Sequence, residues 1–315
     1  MILVLRALGV GDLATAVPAV RGLRAAFPAE RLVLAAPSWL APLVPLVGAV
    51  DRLLPVEGLG PCPLPQARVA VNLHGRGPQS RQMLAATRPG RLLSFGGDGP
   101  LWRFAEHEVA RWCRLLAWYG IDTDPGDLDL RLPSESAAPA GRTIVHPGAK
   151  SGTRQWPVER YAVVARELER AGHHVVVTGS TAERPLAAAV VRAGGLPGER
   201  VLAGETGLGE LAALVAGARL VVCGDTGIAH LATAYRTPSV VLFGPMPPQL
   251  WGPPPDRPYH HSIWHGTRAD PGDAPGREPH PALLRITPDE VLAAVTRCLT
   301  YPHAGYGAQR ATAAQ

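Results

Sequence analysis

Three short stretches carry side chains whose type and spacing could do chemistry. Gly9-Val10-Gly11-Asp12 places a carboxylate on a glycine turn ahead of an apolar helical pattern. Such an Asp can cap the helix start, and it can also take a proton from a bound hydroxyl. His146 to Pro157 is a Gly/Ser-containing loop with two cations, Lys150 and Arg154. Two cations on one loop can clamp a diphosphate; the competing reading is a solvated basic loop. Asp225-Thr226-Gly227 follows a β-branched run and precedes Ile228, Leu231 and Ala232 at helical spacing. Asp225 or Thr226 is the expected N-cap, and the free N–H groups of that helix end attract phosphate. His230 lies one turn further on, and taken alone it reads as a packed or capping histidine. Thr178-Gly179 closes another apolar run and could touch a nucleoside or sugar.

Strands and helices alternate around these stretches. Apolar runs at Ile2–Ala7, Arg31–Ala36, Asp51–Leu54, Val69–Leu73 and Arg91–Phe95 read as strands. Leu13–Phe27, Ser38–Val47 and Glu106–Tyr119 read as helices. A Ser/Ala/Pro-rich stretch, 133–141, is the expected linker. The alternation then resumes. Strands are expected at Thr143–His146, His173–Thr178, Leu220–Cys223 and Ser239–Phe243. Helices are expected at Pro157–Arg170, Glu183–Ala193, Glu210–Ala216, Thr226–Tyr235 and Pro288–Leu299. Gly244–Pro281, rich in Pro, Gly and His, reads as a long loop or insertion. This pattern predicts an α/β chain with parallel sheets covered on both faces. The domains are expected at 1–135 and 142–285, with a last helix at 286–300 and a loose tail at 301–315. Ligands of such sheets bind beyond the carboxyl ends of the strands, where all three stretches fall, and a cleft between the two domains is the expected site.

Composition narrows the function. The chain has 315 residues, 46% of them hydrophobic, enough for two cores. Its net charge of +5 suits an anionic ligand. No zinc-finger spacing, RNP-like motif or Lys/Arg block points to nucleic acid. Cys62, Cys113, Cys223 and Cys298 are scattered, which argues against a disulfide framework and for a reducing cytoplasm. The first residues are too short for a signal h-region, and no run is long enough to span a membrane, leaving peripheral membrane contact at most. His260, His261, His265 and His280 lack carboxylates in a ligand pattern, so no metal site is expected. Walker A and GxSxG motifs are absent. Gly9 to Ala14 has the form GxGxxA of a dinucleotide turn, but the second strand ends in Ala35-Ala36-Pro37 with no acid for a ribose. An NAD(P)-dependent oxidoreductase is therefore an alternative that lacks its ribose ligand.

In combination, several motifs resemble the bacterial heptosyltransferases, glycosyltransferase family nine. They are Gly11-Asp12-Leu13 with Pro18-Ala19, His146-Pro147-Gly148 with Arg154-Gln155-Trp156-Pro157, and Gly224 to Leu231 with Thr237-Pro238 and Phe243-Gly244-Pro245. The resemblance implies a GT-B fold of two Rossmann-like domains, with the acceptor mostly on the first and the donor mostly on the second. It also implies a last helix that crosses back to the first domain. It implies inverting, metal-independent transfer of a sugar from a nucleotide-diphosphate sugar, typically ADP-heptose, with no cofactor. Asp12 matches the family's proposed base, and Arg154 a basic residue on the donor diphosphate. Asp225, Thr226 and Gly227 match the donor turn, and His230 its histidine. Lys150, Thr178 and Gly179 are expected beside them. Gly11, His74 and Arg76 are the acceptor-side candidates, although Asn72-Leu73-His74-Gly75 stands where many members carry an acid and a Gln. None of the motifs that carry the resemblance falls in the Pro/His-rich stretch after Trp251. The acceptor is open: a lipopolysaccharide core or other glycan, a lipid-linked sugar or a secondary metabolite. A non-catalytic sugar-nucleotide binding protein on the same fold is the remaining alternative.

Overall fold

Every residue of Ile2–Leu5 (β1) is apolar and buried, as a central strand of a covered parallel sheet requires. A computed structural model describes residues 1–60, 63–133, 140–267, 270, 272 and 275–301. Cys62, most of the expected linker and the tail beyond residue 301 lie outside the described residues. The chain divides into two compact units, Met1–Arg131 and Leu132–Gln315.

In the first unit, β1 is followed by Val10–Thr15 (α1), Val17–Ala26 (α2), Leu32–Ala36 (β2), Val44–Val47 (α3) and Arg52–Pro55 (β3). Val69–Asn72 (β4), Gln79–Ala85 (α4), Arg91–Leu93 (β5) and Glu108–Trp118 (α5) complete it. The strands are parallel in the order β3-β2-β1-β4-β5. Leu3, Leu5, Val33, Ala35 and Ala70 form part of one core. The single helix expected over Leu13–Phe27 is two helices, divided at Ala16. Pro18 has no N–H to return to a carbonyl one turn back, and it sits in the first turn of α2, where none is needed. The helix expected over Ser38–Val47 is likewise broken, into a 3-10 turn at Ser38–Leu40 and α3.

The second unit runs Arg142–His146 (β6), Val158–Arg170 (α6), His174–Val177 (β7), Arg184–Gly194 (α7), Leu208–Ala216 (α8) and Leu220–Gly224 (β8). Gly227–Ala234 (α9), Ser239–Phe243 (β9), Pro248–Trp251 (α10), His260–Trp264 (β10), Pro281–Leu284 (α11) and Pro288–Thr300 (α12) follow. Its sheet is parallel in the order β10-β9-β8-β6-β7. Both orders reverse direction once, between β1 and β4 and between β6 and β8, which is the Rossmann-like arrangement.

One expectation fails in the second unit. The stretch read as loop supplies a strand, β10, paired with β9 from His260↔Ser239 to Trp264↔Phe243. It lies at the sheet edge, where polar residues are tolerated and alternation is weak. Of its five residues only His260 and Ile263 are buried. The last helix buries an apolar face within the second unit. Val291, Ala294, Val295 and Cys298 share a core with Val240, Leu242 and Ile263, and Cys298 Sγ donates to the Ser239 carbonyl. No described helix is long and apolar enough to cross a membrane.

His260 makes the fold sensitive to acid. Its Nδ1 lies 2.8 Å from Ser239 Oγ, and burial, then the nearby Arg257 charge, pushes its pKa down to about 3. The unfolded chain takes up that proton first, near pH 6.5. Stability is therefore complete above about pH 6.5 and is lost as pH falls towards 3, by roughly 1.4 kcal/mol per pH unit for this one group. Urea denaturation across this range should show the slope. It should be shallower in His260→Asn, which keeps a hydrogen-bonding group without a titrating ring, and an unchanged slope would refute the assignment.

Candidate active site

At the β1–β4 reversal the structure gathers Gly11, Asp12 and His74. Gly9 is extended and opens α1, and its N–H donates to Asp12 Oδ2 at 3.1 Å. Gly9, not Asp12, is therefore the N-cap, and Asp12 sits in the first turn of α1 and reaches back to the N–H of that cap. Its side chain nonetheless keeps 26% of its surface exposed, and its second oxygen, Oδ1, faces Arg6 Nη2 at 3.3 Å. The Gly11 carbonyl, one residue away, accepts from Thr15 Oγ1. His74 follows β4. Asn72, fully buried, sets that turn: its Oδ1 accepts the His74 N–H at 3.1 Å, and its Nδ2 donates to the Gly75 carbonyl and Ser80 Oγ. Burial and the Arg6 charge lower the His74 pKa, with Asp12 opposing them, so the ring is neutral at neutral pH. Its Nδ1 is buried with no hydrogen bond among the described residues. Arg76 stands apart, exposed, with its guanidinium 5.3 Å from the Phe104 ring.

The residues that organise this cluster were not among the sequence candidates. Arg6 is 2% exposed. Its Nε donates to the Asp12 carbonyl at 2.6 Å and its Nη1 to the Leu73 carbonyl. Its Nη2 reaches Thr15 Oγ1 at 3.2 Å and Glu108 Oε1 at 3.0 Å. Glu108, on the first turn of α5, also accepts from Trp112 Nε1 at 2.9 Å and pairs with Arg111. Trp112 stacks under Arg6 and Trp102 under Arg111, at 4.7 and 4.3 Å from ring centre to guanidinium carbon. A charged residue ending an apolar strand was the only sequence signal for Arg6.

At the β6–β8 reversal of the second unit, Arg154, Asp225, Thr226 and Gly227 come together. Arg154 ends a 3-10 turn, Gly152–Arg154, and its Nη1 lies 3.3 Å from Asp225 Oδ2. A Cβ on Gly224 would stand 3.1 Å from the Arg154 carbonyl, so glycine permits the loop to lie on the end of β8. Thr226 is the N-cap of α9, in extended conformation, but its hydroxyl does not cap. Oγ1 is buried with no hydrogen bond among the described residues. Lys150 is exposed on the same loop as Arg154. His230 packs edge-on against Trp251, with ring centres 5.9 Å apart. Thr178 and Gly179 lie one strand away. Thr178 is fully buried and its hydroxyl is paired with His146 Nδ1 at 3.0 Å, so only Gly179 of the two reaches the surface.

The far end of the Pro-rich stretch holds this loop from outside. Ser151 Oγ and the Gly276 backbone exchange hydrogen bonds of 3.2 Å in both directions, and the His280 N–H donates to the Thr153 carbonyl at 3.1 Å. The histidines of that stretch are dispersed. His260 contacts Ser239, His261 meets Arg297, His265 binds Glu290, and His280 is 3.7 Å from Asp270. Among the described residues no group of three or more His, Cys, Asp or Glu is arranged to hold a metal ion.

Two Rossmann-like units in one chain are the arrangement that the GT-B glycosyltransferases have. Residues 102–270, more than half of the chain, match the family described as glycosyltransferase family 9 (heptosyltransferase), and the chain belongs to that family. It is 33% identical over 161 residues to lipooligosaccharide heptosyltransferase 2 of Haemophilus influenzae, across 49% of this chain and 46% of that protein. It is 29% identical over 192 residues to lipopolysaccharide heptosyltransferase 2 of Salmonella typhimurium, across 56% and 52%. The match thus spans about half the length of these curated relatives. The fold is shared with the Escherichia coli ADP-heptose lipopolysaccharide heptosyltransferase II, with a TM-score of 0.76 at 23% identity, covering 95% of this chain and 98% of that one. It is shared too with a family 9 glycosyltransferase from Veillonella parvula, at 0.77 and 20%, covering 95% and 97%. The dinucleotide alternative falls away, since β2 ends at Ala36 without an acid.

Asn72→Ala leaves the His74 N–H without its acceptor and Ser80 without its donor. The first unit should lose about 1–3 kcal/mol, read as a lower urea midpoint. Wild-type stability would remove Asn72 as the anchor of the His74 turn.

Proposed function

We propose that this chain is an inverting, metal-independent heptosyltransferase that uses ADP-heptose as donor and a lipopolysaccharide-type glycan as acceptor. The observation that carries the reading is the partly exposed Asp12 carboxylate, held in the first turn of α1 beyond the carboxyl end of β1 in a chain of family 9. The solved heptosyltransferases of like fold include Escherichia coli WaaC with ADP and with ADP-2-deoxy-2-fluoro heptose, which favours ADP as the leaving group.

Asp12 removes the proton from the acceptor hydroxyl as its oxygen attacks the anomeric carbon of the heptose. The bond from that carbon to the diphosphate breaks, and its electron pair leaves with ADP. Attack from the face opposite the leaving group inverts the anomeric centre. The departing diphosphate needs positive charge and hydrogen-bond donors. Arg154 and Lys150 supply the charge, the N-terminal N–H groups of α9 and the uncommitted Thr226 hydroxyl supply the donors, and Asp225 orients Arg154. Gly179 and His230 line the donor side, and Gly11 and His74 the acceptor side. With these cations in place, no metal is required to neutralise the leaving group.

Asp12→Asn should lower kcat by about 100- to 10,000-fold while ADP affinity, measured by calorimetry, changes by no more than a few-fold. ADP release with a heptose-deficient lipopolysaccharide acceptor reads the rate. Full turnover in the variant would remove Asp12 from the mechanism, and a protein that binds ADP-heptose but never releases ADP would be a binder and no enzyme. Activity should also survive EDTA, and its loss, restored by a divalent ion, would require a metal.

A further inference from the structure

Arg6 is a buried cation with its Nη2 3.3 Å from the Asp12 carboxylate. Standing alone, such a cation would favour the ionised carboxylate and make it a weak base. Glu108 alters this. Its side chain is 6% exposed, and its Oε1 lies 3.0 Å from the same Nη2. Its other oxygen is held by Arg111, and Trp112 Nε1 fixes Oε1 from a third side. The charged and titratable groups shown to face Asp12 are Arg6 after β1 and His74 after β4, and Glu108 with Arg111 on α5 lies on the far side of Arg6. Burial and Arg6 keep His74 uncharged at neutral pH, so two guanidinium groups meet two carboxylates and the local charge balances.

Holding α5 against the sheet needs no charge. Apolar side chains of similar volume often serve as well as a buried ion pair, because both ions lose their hydration. The ionic arrangement does have a consequence at Asp12. Arg6 grips the carboxylate and the carbonyl of Asp12 and fixes the start of α1, while Glu108 offsets the charge that this grip brings.

We infer that Glu108 is a positioning residue of the transfer reaction: through Arg6, it offsets the charge of the guanidinium that holds Asp12 in place. The inference rests on Asp12 being the base.

The test is the Asp12 carboxyl titration, followed by 13C NMR in the full chain labelled at aspartate and assigned with Asp12→Asn. In Glu108→Gln the midpoint should fall by about one pH unit. The acid limb of kcat/KM, with ADP-heptose and heptose-deficient lipopolysaccharide, should move down with it, and the plateau should drop several-fold. Glu108→Asp keeps the charge and should restore the wild-type midpoint. A purely structural role would lower stability and leave both the titration and the acid limb in place, and that result would overturn the inference. If Glu108→Gln does not fold, Arg6→Gln carries the test, with a midpoint shifted upward; an unshifted one would overturn it equally. Full turnover by Asp12→Asn would instead defeat the base assignment, and the NMR shift would still report whether Glu108 acts on Asp12.

Discussion

A parallel sheet whose strand order reverses leaves a gap at one place on its carboxyl edge, because the connections on either side run away from each other. That constraint locates both clusters of this chain. In the first unit the gap lies between β1 and β4, and the turns that follow these strands bring Asp12 and His74 together. In the second it lies between β6 and β8, where Arg154 meets Asp225 and Thr226. Residues that are 62 apart in one unit and 71 apart in the other become neighbours through topology alone. The side chains add orientation to a meeting place that the strand order has already made.

The two clusters solve the same electrostatic problem in different ways. Each contains an arginine beside an aspartate. In the first, Arg6 is almost wholly buried and its charge is divided between Asp12 and Glu108, with aromatic faces on Trp112 and Trp102 lining the two guanidinium groups. In the second, Arg154 keeps 18% of its side chain exposed and faces an aspartate that is itself buried. A buried, shared cation suits a carboxylate in the role of base proposed for Asp12. A partly open cation suits an anionic ligand that arrives from solvent and departs again.

Much of this was legible in the sequence. The β-branched runs at Val69–Val71 and Leu220–Cys223 state their strands, and the glycine turn before Asp12 and the Asp225-Thr226-Gly227 turn state where helices begin. Contacts distant in sequence were not legible. Glu108 is 102 residues from Arg6, and a glutamate on the first turn of a helix reads as a partner for the helix dipole and no more. β10 was hidden because an edge strand has one neighbour and no need of an apolar run. Thr178 sat at the expected strand end, yet nothing local showed that His146 would claim its hydroxyl.

The hydrogen bonds that tie Ser151 to Gly276 and Thr153 to His280 join the cationic loop to a segment more than 120 residues further along the chain. A Cβ on Gly152 would overlap the Arg277 carbonyl, so the two backbones lie against each other. Loops that grip phosphate commonly become ordered only when the ligand arrives, and the conformational entropy lost at that moment weakens binding. Here the ordering belongs to folding. A diphosphate at Arg154, as proposed, would meet a loop whose backbone is already tied to the rest of its unit.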